Sequence, residues 1–324
     1  MKSISMRQAR LLGLGTYKPR TVVGNDEICR HIDSSEEWIQ TRSGIRERRF
    51  AAPDETLVAM GATAAEKACG NCGVAVQDID CIITASMSNL VQTPPLAAVI
   101  GSELGAVRAG GFDVSGACAG FCHALGVAAG MVATGEAEHV LVIGAERMTD
   151  IVDPTDRTIA FLFADGAGAA VVGPADTPGI GPTVRGADFA SVEALRMNGA
   201  WGGTGLRPVM RMDGKRVFRW AVGEVIPACR RALSAAGVDV ADLGAFVPHQ
   251  ANLRMIEIMA DRLGLPDSVA VAQDIVTSGN TSAASIPLAL AALLDADPAR
   301  SGSPALLAGF GAGLNYAAQV VQLP

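Results

Sequence analysis

Cysteine nucleophiles commonly act with a histidine and a third polar group, distant in sequence and adjacent in space. Cys118, His249 and Asn280 are residues of those three types. Cys118 follows a short apolar segment that reaches Val114 and a turn of small residues. It opens a run rich in Ala, Val and Leu, up to Gly135, that reads as a buried helix. At a helix start the unpaired backbone N–H groups and the positive end of the macrodipole favour an anion, which predicts a lowered thiol pKa. A small cysteine packed among alanines is the competing explanation on this stretch alone. His249 is one of four histidines and stands at a strand-to-helix turn; Asn280 stands in the turn Ser278 to Ser282. Taken singly, each also fits a purely structural role. The glycine turn at 311–313 can bring a backbone N–H to a substrate oxygen, joining the Cys118 amide as an oxyanion hole. Losing one such donor typically costs about 3 to 4 kcal/mol of transition-state stabilisation.

These residues need elements that deliver each of them to a turn. The spacing predicts strands over 10–16, 79–85, 139–145 and 169–172, with helices over 56–72, from Thr93 through Leu104 and after Cys118, a β-α-β pattern. Residues 163–170 are glycine-rich but lack a GxGxxG and read as a tight turn with close backbone packing. Pro174 to Gly181 is a Pro and Gly linker, which divides the chain into 1–174 and 175–324. In the second part a strand over 245–248 delivers His249, and the following helix carries Leu253, Ile256, Ala260 and Leu263 on one stripe. The Asn280 turn leads into an apolar helix ending near Leu294, and strands over 305–308 and 316–322 flank the late glycine turn. Each half thus repeats strand, small-residue turn and helix.

With 324 residues, 49% of them apolar, 37 glycines and 4% aromatics, the chain suits two domains or one large layered α/β unit packed through small side chains. A formal charge of −7 argues against general nucleic-acid binding. Seven scattered cysteines fit reduced thiols in a cytosol, and Cys69 and Cys72 have CxxC spacing without the other two ligands of a zinc site. The N-terminal apolar stretch is broken by Gly13, and no apolar run approaches the roughly 20 residues that cross a bilayer. A soluble cytoplasmic protein without metal, membrane or nucleic-acid partner is expected. Two cationic groups stand out. Trp38 with Arg42, Arg46, Arg48 and Arg49 is either a solvated surface or a platform for a ring and phosphates. Arg207, Arg211, Lys215, Arg216 and Arg219, offset only by Asp213, suit an acidic partner.

Five segments taken together, Glu37 to Arg48, Gly116 to Phe121, Phe163 to Gly168, Val247 to Asn252 and Gly279 to Ser285, resemble β-ketoacyl-acyl carrier protein synthase III of the thiolase superfamily, a type that includes polyketide-priming ketosynthases. The resemblance covers essentially the whole chain in order. It implies an α/β fold of the thiolase-like, five-layered α/β/α/β/α kind, built from two similar halves, and a homodimer. It also implies two half-reactions without a metal or organic cofactor. Cys118 attacks an acyl-CoA while the backbone amides of Cys118 and Ala312 hold the oxyanion. Malonyl-acyl carrier protein then loses CO₂, with His249 and Asn280 hydrogen-bonding the thioester oxygen, and the carbanion attacks the acyl-Cys. By the same resemblance Trp38 and Arg157 flank the adenine of CoA, Arg42 and Asn252 line its path, Gly214 and Phe218 border the pantetheine channel, and Arg219 and Arg254 meet the acidic carrier protein.

Thr93 falls where some relatives carry a bulky Phe at the acyl pocket, which predicts a primer larger than acetyl. Asn280 argues against the elongating synthases, which use a second His there, and the late glycine turn lacks the second Cys of degradative thiolases. The segment from Met197 to Met212 is short and glycine-rich beside the family's usual loop. The expected activity initiates fatty acid or polyketide chains. The alternatives are an acyltransferase on the same scaffold, serving an alcohol or amine without decarboxylation, and a non-catalytic partner subunit.

Overall fold

The computed structural model describes residues 6–201 and 207–324. The first half runs β1 (Gln8–Tyr17), β2 (Thr21–Gly24), α1 (Asn25–Cys29), α2 (Glu36–Ser43), β3 (Glu47–Phe50), α3 (Leu57–Cys72), β4 (Cys81–Ala85), α4 (Leu96–Glu103), β5 (Gly110–Val114), α5 (Gly120–Thr134), β6 (Val140–Arg147) and β7 (Asp165–Ala175). The second runs β8 (Val184–Ala187), β9 (Leu195–Met197), β10 (Met210–Met212), α6 (Gly214–Trp220), α7 (Ile226–Ala236), β11 (Ala245–Pro248), α8 (Leu253–Leu263), β12 (Ala270–Val271), α9 (Ile275–Ser278), α10 (Ser285–Ala296), β13 (Pro304–Gly311) and β14 (Asn315–Gln322).

Two five-stranded sheets have one topology. Their orders are β1-β7-β6-β4-β5 and β8-β14-β13-β11-β12. In each, the first two pairings are antiparallel and the last two parallel. Helices α3 and α4 cover the outer face of the first sheet, and α7 covers the second and packs against α8. Between the sheets lie α5, which meets β6 and β7 on one side and β13 and β14 on the other, and α10, which meets β7, β1 and β11. The result is the five-layered α/β/α/β/α, thiolase-like fold with two similar halves.

The middle layer explains the apolar run after Cys118. The span Ala117–Thr134 has a mean hydropathy of 1.5 over 18 residues, long and apolar enough by composition to cross a membrane. Here it serves as a core helix: Phe121, Cys122, Ala124, Leu125, Ala128 and Val132 are buried on it, and Gly135 ends it at φ 74°. The glycine-rich stretch expected as a turn is instead the start of β7. A Cβ on Gly168 would come within 2.7 Å of the Pro287 ring, so small residues there let α10 lie against the strand. Local sequence reads such residues as breakers, whereas the packed sheet requires them.

The segment carrying Trp38 is anchored on the second half. Ser35 Oγ accepts the Trp38 N–H and caps α2. Gly44 ends the helix at φ 79°, where a Cβ would lie 2.3 Å from that of Leu253, so α2 terminates against the start of α8. Ile39 and Ile45 are buried in one cluster with Ile256 and Met259. Helix α8 buries Met255 and Met259 beside the expected Ile256 and Leu263, while Leu253 and Ala260 are half-buried.

Candidate active site

β5 ends at Val114, Ala117 takes φ 46°, and a single 3₁₀ turn over 117–119 runs into α5. Cys118 is therefore at a helix start, as expected, but only 3% exposed. Burial pushes its thiol up to about 12; the Ser282 hydroxyl beside it and its own backbone N–H pull downward, and Glu146 adds to the rise. The lowered thiol pKa expected from the helix terminus is thus corrected: withdrawal from water outweighs the terminus. A Cβ on Gly311 would lie 2.8 Å from the Cys118 Cβ and 3.1 Å from Sγ, so only glycine lets the end of β13 close over the sulfur.

His249 continues β11, its N–H donating to the Ala308 carbonyl at 2.8 Å. The ring meets the Phe310 ring edge-to-face at 5.3 Å. Burial holds its pKa down to about 3, so the imidazole is neutral. Nδ1 lies 2.7 Å from Ser285 Oγ, which also accepts the Gln250 N–H at 3.3 Å. In the tautomer in which the Ser285 O–H donates to Nδ1, Nε2 carries the ring proton as a donor. Asn280 sits in the 279–282 turn: its backbone N–H donates to Leu162, its carbonyl accepts from Ala164, and its Oδ1 accepts the Ser282 N–H at 2.9 Å. Its Nδ2 makes no hydrogen bond among the described residues, so the amide is oriented with a free donor.

Cys118, His249 and Asn280 line one cavity of about 820 Å³. Of the other expected site residues, Trp38, Arg42, Gly214, Phe218, Arg219, Asn252 and Arg254 line it too. Arg157 stands 5.4 Å and Arg42 5.8 Å from the centre of the Trp38 ring, a cation on either count within stacking reach. The Asn252 amide is engaged within the protein, donating to the Arg42 carbonyl and accepting the Arg254 N–H, and so it ties α2 to α8. Ala312 follows the lining residue Gly311 and is half-buried.

Thr93 is exposed and does not line this cavity. Two expectations are corrected. Arg48 is fully buried, donating to Val23 and Phe161 carbonyls and Asn25 Oδ1; burial lowers its pKa to about 10. It belongs to the core and not to the Trp38 platform. Arg211 is paired with Asp153 and Asp156, at 3.7 and 2.7 Å, which removes it from the basic face. Residues 202–206 of the Met197 to Met212 segment lie outside the described residues.

Sequence reasoning missed two groups. Ser285 lies inside a recognised motif, yet its contact with His249 spans 36 residues. Glu146 carried no local signal. It is fully buried and accepts from Met87 and Ser88 backbone N–H groups and from the Ser86 and Ser88 hydroxyls, while burial raises its pKa.

Comparison with known proteins adds the following. Residues 112–188 match the family 3-oxoacyl-(acyl-carrier-protein) synthase III, and residues 233–323 match its C-terminal region. The chain is 55% identical over 324 residues to a β-ketoacyl-(acyl-carrier-protein) synthase III of Streptomyces lividans, covering 98% of this chain and 95% of the relative. Its structure is similar to that of the priming β-ketosynthase from the R1128 polyketide biosynthetic pathway, with TM-score 0.98, 53% identity and coverage of 100% and 98%. The 3-oxoacyl-(acyl-carrier-protein) synthase III of Aquifex aeolicus VF5 matches with TM-score 0.91, 35% identity and coverage of 97% and 99%.

Proposed function

Because this chain belongs to the 3-oxoacyl-(acyl-carrier-protein) synthase III family, we propose that it condenses an acyl-CoA primer with malonyl-acyl carrier protein. The products are CO₂ and a 3-oxoacyl-acyl carrier protein that starts a fatty acid or polyketide chain. The observation that carries this reading is the convergence of Cys118, His249 and Asn280 on one cavity.

In the loading step Cys118 Sγ forms a bond to the acyl carbon and the bond to the CoA sulfur breaks. The N–H groups of Cys118 and Ala312 receive the oxyanion. The resting thiol is protonated, given its raised pKa, and the departing CoA sulfur takes up a proton, so loading releases none overall. In the second step the malonyl carboxylate leaves as CO₂ and negative charge collects on the thioester oxygen. His249 Nε2–H and Asn280 Nδ2–H are neutral donors for that oxygen, and a dry site makes such bonds worth more than in water. The carbanion then attacks the acyl-Cys carbonyl, and one proton from solvent restores the thiol.

CoA would enter past Trp38, its adenine between that ring and Arg157, with Arg42 and Asn252 along the path and Gly214 and Phe218 beside the pantetheine arm. Arg219 and Arg254 are the cations for the acidic carrier protein. The two halves of the duplication are assigned to 1–174 and 175–324, and the enzyme is assigned to the cytoplasm, with no resident cofactor. A homodimer is supported by β5, an edge strand that among the described residues pairs with β4 alone, along which Phe112 is exposed. Pairing two such edges about a two-fold axis would satisfy its open backbone groups.

The test combines two measurements. Intact mass after exposure to acetyl-, butyryl- or hexanoyl-CoA should give an acyl adduct on Cys118, and the loaded enzyme should release CO₂ from malonyl-acyl carrier protein. No adduct with any of the three would overturn the proposal; an adduct without CO₂ would point to simple acyl transfer.

A further inference from the structure

The two N–H groups assigned to the oxyanion come from different halves, one from Cys118 and one from the turn after β13. A side-chain bridge joins their surroundings. His123, on the first turns of α5, has Nε2 2.9 Å from Asn315 Oδ1. Asn315 Nδ2 donates to the carbonyl of Ala312, the residue whose N–H is assigned to the hole. The bridge is closely packed at both ends. A Cβ on Gly116 would lie 3.1 Å from the His123 ring, and one on Gly313 would lie 2.9 Å from Asn315 Nδ2. On the strand side, Gly311 and Asn315 are paired across β13 and β14.

The proton positions follow from this arrangement. Because Nδ2 is the atom that donates to Ala312, Oδ1 faces the ring, and His123 must donate through Nε2. Burial lowers the ring's pKa, and nearby Arg185 adds to the lowering against the Asn315 bond, so the ring is neutral with that one N–H.

Resting on the reading above, we infer that His123 is a positioning residue for both half-reactions: through Asn315 it holds the Ala312 turn so that the Ala312 and Cys118 N–H groups face one carbonyl oxygen. It touches no reacting atom. Its effect is on the geometry of a donor, and displacement of such a group by about 1 Å can cost about a hundredfold in rate.

Two reactions of the same sulfur separate this role from general damage. Thioester loading develops an oxyanion, whereas alkylation of Cys118 by iodoacetamide displaces iodide at a saturated carbon and develops none. The comparison uses whichever of acetyl-, butyryl- and hexanoyl-CoA loads the unaltered chain fastest, with adducts on Cys118 followed by mass. His123→Ala should slow loading by about ten- to a hundredfold and leave alkylation within about twofold. His123→Gln, whose side-chain N–H can replace Nε2–H, should recover most of the loading rate. Asn315→Asp, which cannot donate to Ala312, should behave like His123→Ala and serves where that variant does not fold. Unchanged loading in these variants, equal slowing of loading and alkylation, or no recovery in His123→Gln would each overturn the inference. An unaltered chain that loads from none of the three thioesters would overturn the parent reading, and the inference with it.

Discussion

In the first half the chain passes through Ala117, at φ 46°, into Cys118 and then α5; in the second it passes through Ser282, at φ 49°, into Ala283 and then α10. Both lead-ins are 3₁₀ turns, both helices lie in the middle layer, and Cys118 and Ala283 are both buried. A positive φ on a residue with a Cβ costs about 1 to 3 kcal/mol, so its occurrence at both places marks a shared demand on the backbone. The side chains then diverge. One half presents a sulfur at its turn, and the other an alanine there with Asn280 two residues before the strained position. The duplicated backbone supplies two approaches to one cavity, and the sequence places a thiol at one and a carboxamide at the other.

The largest effect tests that division directly. Cys118→Ala should abolish acyl loading, a loss of roughly a thousandfold or more, read as the absence of an adduct by mass. Adding Ala283→Cys to that variant should restore none of it, because the second lead-in lacks the late glycine turn folded over its sulfur. Restored loading would break the comparison.

Next in size is removal of a donor. His249→Ala and Asn280→Ala should each slow CO₂ release from malonyl-acyl carrier protein by about a hundred- to a thousandfold while Cys118 still takes up an acyl group. Loss of loading to the same extent would place these residues in the first half-reaction as well.

Buried His249 also makes a stability prediction. Its folded pKa, about 3, lies below the ordinary histidine value. The unfolded chain therefore binds a proton that the folded chain refuses between pH 6.5 and 3, and stability falls as pH drops through that window, by a few kcal/mol at most from this group. Denaturant melts at pH 7 and pH 4 should differ more for the unaltered chain than for His249→Gln. An equal acid loss in both would mean the imidazole is not the group responsible. The smallest expected effect is at the rim: Arg219→Glu with Arg254→Glu should raise KM for malonyl-acyl carrier protein by about tenfold, less so at high salt.

Several features were legible locally. Ser35, the α2 cap, and Gly44, its left-handed end, have types that signal a helix's bounds. The apolar run of α5 signals a buried helix. The Asn280 turn and the His249 turn were visible as small polar clusters between regular elements. What failed did so for reasons of packing. Glycines 166 and 168 look like a turn until α10 is laid on β7. Arg48 looks like surface charge until three acceptors from distant segments surround it.

The sequence by itself determined the identity of the chemical groups, the turns that carry them and the repeated strand-turn-helix pattern, because residue type and short-range spacing decide capping, helix burial and strand alternation. Only the tertiary structure decided the protonation of those groups and their alignment. Desolvation of Cys118 and His249 depends on layers built from the whole chain, and the tautomer of His249 depends on a hydroxyl 36 residues away. Electrostatic energy is set by what surrounds a charge in space, and that surrounding exists only once both sheets have closed on the helices between them.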